Sequence, residues 1–216
     1  MTKDMSHQIH QTLLNATQPY TLLNQAIATN GVQSLNLQPE ALFFPYLARS
    51  VAGQQLSNQA AKTIWQRVEA LLSDDVTLFD LFTEPNSTLL RRCGLSNAKV
   101  RTICGVRSAL EDKQIETHQL AMMTDEELIR SLTQLWGIGP WTAEMTAIFF
   151  FGRPNVWSQG DASLKRGLAL FAEKENATPT ELLAVAAPYH SYFALHVWQS
   201  LDTDFSRKWR VNLLPP

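Results

Sequence analysis

Two glycines, one residue apart, mark the part of the chain best suited to hold a ligand. They lie in the run LWGIGP, from Leu135 to Pro140, between two segments with helical apolar spacing. Glycine allows a sharp turn, and the helix that follows begins with amides that attract a phosphate oxygen. Carbonyls turned outward by the same hairpin can hold a monovalent cation. A tight helix–helix turn without a ligand is the alternative, which a lone pair of glycines would favour.

One carboxylate beyond the hairpin, that of Asp161, could serve either a chemical or a structural role. Asp161 follows a loop that ends at Gly160 and precedes a helical segment that begins at Ala162. An aspartate at that place typically caps the helix, and the local sequence alone favours this interpretation.

Composition excludes several classes of protein. The 216 residues carry a formal net charge of −2, and no apolar run is long enough to cross a membrane. The first residues, MTKDMSHQIHQ, lack the apolar centre of a signal peptide, so we expect a cytoplasmic protein without a membrane partner. Cys93 and Cys104 are the only cysteines. They are expected to be reduced thiols, and they cannot form a four-cysteine metal site.

Positive charge is concentrated in one stretch. Between positions 91 and 107 there are five basic residues and no acidic one: Arg91, Arg92, Lys99, Arg101 and Arg107. A local basic face of this kind can bind a polyanion with salt-sensitive affinity. The alternative for each residue is a solvated position on a helix surface.

The elements that must position these residues are helices. Ser57 and Ser96 precede helical apolar patterns as caps, and Thr124 with Glu127 forms a capping box before the hairpin. Thr178, followed by Pro179 and Glu181, opens another helix. No strand-like alternation competes with these patterns, so the sequence predicts an all-α fold.

We expect two helical lobes with a cleft between them in a single catalytic unit. Residues 41–155 would form the central lobe, including a helix-hairpin-helix over 125–151. Residues 1–40 and 156–216 would form the second lobe. Residues 1–18 and the tail 205–216 show no regular pattern.

Four segments in this order resemble the helix-hairpin-helix DNA glycosylases. The hairpin followed by Asp161 is similar to the signature of that superfamily, and Ala41–Leu72, with its GQQLS turn, resembles the segment that enters the minor groove. LRRCGLSNAKVRTI, at 90–103, and APYHSYFALHVW, at 187–198, resemble the AlkA-type branch of 3-methyladenine DNA glycosylases. The resemblance covers most of the chain and implies a compact all-α glycosylase.

The resemblance implies how the protein would hold DNA. A damaged base must be rotated out of the duplex, and Gln55 or Leu56 would fill the space as a wedge. The phosphate-facing amides would be those of Gly137, Gly139 and Trp141. The carbonyls that ligate a monovalent cation in the presence of DNA would be those of Thr133, Leu135 and Ile138. No other cofactor is implied. Trp136 replaces the usual hairpin proline and would pack on the first hairpin helix or on DNA.

The resemblance also implies the chemistry. Asp161 would stabilise positive charge on the sugar and orient the attacking water. The base pocket would include Trp141, Met145 and Tyr189, because aromatic faces attract a cationic purine. Trp141 stands where the lyase branch has its nucleophilic lysine, so a monofunctional enzyme is implied.

The sequence therefore predicts a monomeric glycosylase that excises alkylated purines from double-stranded DNA, of the 3-methyladenine and 7-methylguanine type. The lesion range stays open, because pocket shape decides it. A non-catalytic helix-hairpin-helix protein that binds DNA or recognises damage is the alternative. A lyase for oxidised bases is disfavoured by Trp141.

Overall fold

The computed structural model describes residues 3–201. In chain order its α-helices are α1 Lys3–Ala16, α2 Thr21–Asn30, α3 Phe43–Gly53, α4 Asn58–Glu69, α5 Leu78–Leu81, α6 Ser87–Arg92, α7 Asn97–Glu111, α8 Thr117–Met122, α9 Asp125–Thr133, α10 Pro140–Phe149, α11 Ala162–Lys174, α12 Pro179–Ala186 and α13 His190–Leu201. Two 3-10 segments, Glu40–Leu42 and Glu84–Asn86, precede α3 and α6. Within the described range only an isolated bridge joins Ser73 to Val76, so the all-α prediction is confirmed.

The helices form two compact units. The central unit is Gln38–Thr146, and the flanking unit comprises the described parts of Met1–Leu37 and Ala147–Pro216. In the central unit α3 packs on α4, α5 and α7, whereas in the flanking unit α11 packs on α2, α12 and α13. The predicted cleft and the predicted lobe limits of 41–155 stay predictions. Across positions 3–201 no helix has the length and apolar character needed to cross a bilayer.

Helix starts follow the local capping signals. The Ser57 and Ser96 hydroxyls accept hydrogen bonds from backbone amides three residues later, both at 3.3 Å. Thr124 and Thr178 each form a complete capping box with the glutamate three residues on. These caps satisfy amides that the helices themselves leave without partners, so the predicted starts of α4, α7, α9 and α12 are confirmed.

The prediction of irregular structure for residues 1–18 is wrong over Lys3–Ala16, which form α1. The inward face of this helix is Ser6, Ile9 and Leu13, with buried Thr17 just beyond it. Only two of these four side chains are apolar, so the periodic signal is weak. The predicted irregular tail, 205–216, lies outside the described residues.

Helix α13 packs against α2, α11 and α12 within the flanking unit. Every residue of α13 from Ser191 to Trp198 is buried. A helix that is buried on all sides must be apolar around its whole circumference, which its sequence largely is. It thereby fixes the Trp198 ring, which lies 5.8 Å from the Phe149 ring in a stacked arrangement.

A distant carboxylate caps α2. The N-cap residue Tyr20 makes no side-chain hydrogen bond to this helix. Instead Glu175, just after α11, accepts hydrogen bonds on Oε1 from the amides of Leu22 at 2.5 Å and Leu23 at 2.9 Å. The first amides of a helix lack partners within it, so Glu175 takes the place of a local cap.

We expect the Glu175→Ala variant to lower the free energy of unfolding by about 1 kcal/mol, as loss of a helix cap typically does. Denaturant unfolding at neutral pH measures this change. Glu173→Ala, an exposed position on α11 with the same change of charge, is the matched control and should stay near wild type. Equal losses in the two variants would contradict the capping role.

Candidate functional site

The hairpin joins α9 to α10 through a turn anchored by one buried side chain. Ile138 is buried, whereas Gly137 and Gly139 on either side of it are exposed. The Ile138 amide donates to the Leu135 carbonyl at 3.0 Å, and Gly137 has a φ of 82°, in the left-handed region. The two glycines predicted to face phosphate therefore lie on the surface of the central unit.

The backbone at Gly137 lies directly against α7. A Cβ atom there would be 2.0 Å from Thr102 Oγ1, which is closer than any real contact. The Thr102 hydroxyl is itself held, because it donates to the Ala98 carbonyl at 2.9 Å. Only glycine fits this position, both for its backbone angle and for the space.

Trp136 lies on the hairpin with half of its surface open. The residue is 51% exposed, and the guanidinium carbon of Arg101 lies 4.2 Å from the ring centroid. This cation–π contact ties the tryptophan to α7, which the sequence did not indicate. The open part of the indole adds an exposed aromatic surface beside the glycines.

The predicted cation ligands are backbone carbonyls of the same turn. Leu135 O already accepts the Ile138 amide, and a carbonyl has a second lone pair that can bind an ion. Rings of such oxygens suit alkali cations. The site formed by the carbonyls of Thr133, Leu135 and Ile138 stays a prediction. The described residues contain no group of three or more His, Cys, Asp or Glu that could hold a metal ion.

The predicted wedge lies in the turn between α3 and α4. Gln55 is exposed with a φ of 56°, and Leu56 is 37% exposed. Gln54 behaves differently, because its Nε2 donates to Thr142 Oγ1 at 3.1 Å and approaches the Gly137 carbonyl at 3.5 Å. Gln54 thus faces the hairpin, which leaves Gln55 and Leu56 as the two open side chains. Their role in DNA stays a prediction.

Asp161 is the N-cap of α11, as its sequence position indicated. Its Oδ1 accepts the amide of Leu164 at 2.8 Å and the indole N–H of Trp198 at 3.2 Å. The residue is 6% exposed. Two donors on one oxygen fix the orientation of the carboxylate. Sequence reasoning missed Trp198, because a tryptophan 37 residues away looks like an ordinary core residue.

The predicted pocket residues belong to both units. In the central unit Trp141 is half-buried, whereas Met145 has no exposed surface and its carbonyl accepts the Tyr46 hydroxyl at 3.1 Å. In the flanking unit Tyr189 is half-buried and its ring meets Tyr192 edge to face. Met145 therefore lies in the core beneath the surface. Participation of the three predicted residues in a base pocket stays a prediction.

The five basic residues between 91 and 107 have different surroundings. Arg107 makes two hydrogen bonds to the Glu111 carboxylate and one to the Phe79 carbonyl. Lys99 is half-buried, whereas Arg91 and Arg92 are exposed. Arg101 is exposed as well, with its guanidinium over the Trp136 ring. Arg91, Arg92 and Arg101 therefore have the exposed positions expected of a polyanion-binding face.

Comparisons with known proteins agree with this geometry. No family model matches the chain. DNA-3-methyladenine glycosylase 1 of Schizosaccharomyces pombe is 30% identical over 165 residues, which is 72% of each chain. The crystal structure of a Bacillus halodurans DNA-3-methyladenine glycosidase matches with a TM-score of 0.74 and 30% identity, over 93% of this chain and 91% of that one.

A third match is an S. pombe 3-methyladenine DNA glycosylase in complex with abasic DNA. It has a TM-score of 0.72 and 24% identity, over 92% of this chain and 98% of that one, and so bears on the fold alone. The fold is that of the helix-hairpin-helix DNA glycosylases. The chain belongs to the DNA-3-methyladenine glycosylase family.

We expect Gly137→Ala to lower the free energy of unfolding by about 2–4 kcal/mol, since it adds left-handed strain to overpacking against Thr102. Gly139→Ala is the matched control, because nothing lies within 4 Å of a Cβ at that position. Denaturant unfolding of both variants measures the difference. Similar stabilities would show that the hairpin does not depend on its contact with α7.

Proposed function

We propose that the protein is a monofunctional DNA glycosylase that acts on alkylated purines in double-stranded DNA. It flips out bases of the 3-methyladenine and 7-methylguanine type and hydrolyses the N-glycosidic bond, as the first step of base excision repair. It acts as a monomer. Membership of the family supports a hydrolase of N-glycosyl bonds, because relatives named for this activity match over most of their length.

The observation that carries the proposal is the fixed carboxylate of Asp161. Its Oδ1 is oriented by Leu164 and Trp198 before any substrate arrives, and preorganised charge is the most effective kind. Alkylation at N3 or N7 makes the purine cationic. When the glycosidic bond breaks, its electrons stay on the base, which leaves neutral. The sugar becomes positive, Asp161 stabilises it, and water adds to the sugar carbon and loses a proton.

Trp141, which follows the hairpin proline, is also consistent with hydrolysis by water. A lyase forms a Schiff base through an amine, and the matching residue here is Trp141, whose indole cannot do so. A base that is already cationic leaves without a strong general acid. The reaction therefore needs one well-placed carboxylate and no second catalytic side chain.

DNA and base would be recognised by the surfaces already described. The amides of Gly137, Gly139 and Trp141 bind a phosphate, with a monovalent cation on the hairpin carbonyls of Thr133, Leu135 and Ile138. The aromatic faces of Trp141 and Tyr189 attract the cationic purine. Met145, one turn past Trp141, is the third residue proposed for this pocket.

A DNA-binding protein without catalysis is the second candidate. One observation favours it: Asp161 caps α11, so its presence has a purely structural explanation. The two candidates differ in whether free base is released.

We expect Asp161→Asn to reduce release of free base from 7-methylguanine DNA by about a hundredfold or more, because the negative charge is lost at the reacting sugar. Asparagine is as good a cap, so the free energy of unfolding should change by less than about 1 kcal/mol. Chromatography of the released base measures activity. Equal activity in the variant would refute the catalytic role, and borohydride-trapped strand scission would refute the monofunctional assignment.

We expect either Gln55→Ala or Leu56→Ala, whichever removes the wedge, to lower the single-turnover rate of base release about tenfold, as loss of one stacking contact does. Gln59→Ala, an exposed position just inside α4, is the matched control. Rapid-quench measurement on 7-methylguanine duplexes gives the three rates. Wild-type rates in both single variants would place the wedge elsewhere in the chain.

A further inference from the structure

The end of α3 is held by a lysine from another helix. The last carbonyls of a helix have no partner within it and carry its negative end charge. Lys99 Nζ donates to the Ala52 carbonyl at 2.9 Å and to the Gln54 carbonyl at 2.8 Å. The ammonium thus compensates the end of α3 and fixes the first residue of the predicted wedge turn.

Lys99 itself is placed by the start of α7. Its amide donates to Ser96 Oγ at 3.3 Å, so the residue belongs to the capped first turn of that helix. Its side chain is half-buried, and burial lowers the pKa of the ammonium. This lysine is directed into the protein, unlike the exposed Arg91 and Arg92, and has little surface to offer to a phosphate.

Gln54 is held at both ends. Its carbonyl accepts from Lys99, and its side-chain amide donates to Thr142 in the first turn of α10. The next residue, Gln55, adopts a left-handed backbone that a side chain disfavours by roughly 1–2 kcal/mol. Such a conformation persists only where the surrounding structure imposes it. The turn is closed by its own hydrogen bond, from the Leu56 amide to the Gly53 carbonyl at 3.3 Å, and the hydrogen bonds of Gln54 to Lys99 and Thr142 connect it to α7 and α10.

We propose that Lys99 and Gln54 are positioning residues that preform the 54–57 turn for insertion into the duplex. They link this turn to the glycine hairpin, so that the phosphate-binding amides of the hairpin and the wedge form one rigid unit. The inference rests on the proposed function, because it presupposes that the turn enters DNA. Neither side chain touches the reacting atoms.

The test distinguishes loss of insertion of the 54–57 turn into the duplex from loss of folding and from a change of charge. The Lys99→Met variant removes both hydrogen bonds while keeping side-chain length, Lys99→Arg keeps the charge, and Gln54→Met breaks the link to Thr142. Lys113→Met is the matched control. It makes the same change of charge in the exposed turn that follows α7, roughly 20 Å away.

Each variant is bound to a duplex that carries a tetrahydrofuran abasic site, with 2-aminopurine opposite it. Fluorescence of the 2-aminopurine reports unstacking by the inserted turn. Base release from 7-methylguanine DNA, binding to undamaged duplex and the unfolding temperature are measured in parallel.

We expect Lys99→Met and Gln54→Met to lose most of the fluorescence change and to slow single-turnover release about tenfold or more, as small misplacements do. Binding to undamaged duplex should be unchanged. Lys99→Arg should recover part of both signals, and Lys113→Met should match wild type. The double variant should be no worse than the poorer single variant, because both act through one turn.

Full fluorescence change in both Lys99→Met and Gln54→Met would overturn the inference. An equal loss in Lys113→Met would also overturn it, since charge alone would then explain the effect. If Lys99→Met fails to fold, the fluorescence changes of Gln54→Met and Lys99→Arg test the inference instead. A wild-type protein that releases no base but shows a fluorescence change dependent on Lys99 would refute the proposed activity while supporting the positioning role.

Discussion

The approach of the hairpin backbone to α7 is the constraint on which the central unit depends. Thr102 leaves no room for a side chain at position 137, so the hairpin can rest on α7 only as glycine. Two other residues near the start of α7 make further contacts. The Arg101 guanidinium packs over the Trp136 ring, and the Lys99 ammonium donates a hydrogen bond to the end of α3. The first turns of α7 therefore contact both the glycine hairpin and the end of α3.

This arrangement changes the interpretation of the basic stretch. A run of positive residues beside a proposed DNA surface looks like a set of phosphate contacts, but three of the five have partners inside the protein. Arg101 and Lys99 act on the protein's own aromatic ring and carbonyl groups, and Arg107 pairs with Glu111 on the same helix. A near-neutral net charge fits a protein that uses shape and local hydrogen bonds more than a strong positive field.

The parts of the fold that could be predicted were those with local signals. The capping boxes at Thr124 and Thr178 lie within four residues of sequence, and the structure contains both. α1 was missed because its buried face mixes Ser6 with Ile9 and Leu13, so an apolar pattern gives little warning.

The same limit applies to the candidate site. The cap position of Asp161 was visible from the residues that follow it, whereas its second donor, Trp198, comes from α13. The hydrogen bonds from Lys99 to Ala52 and Gln54 span 47 and 45 positions. Such contacts exist only once helices have packed, and no spacing rule within one segment can reveal them.

The cap of α11 and the catalytic role proposed for Asp161 together have an evolutionary consequence. Under the proposed function, selection acts on this position twice, once for a negative charge and once for a side chain that accepts the amide of Leu164. A duplicated copy released from catalysis would lose the first requirement and keep the second. Its descendants should drift toward asparagine, serine or threonine there, and not toward apolar residues. Among paralogues, an acidic residue at this position would then indicate a retained glycosylase activity, whereas an uncharged polar residue would indicate only a retained N-cap of the helix.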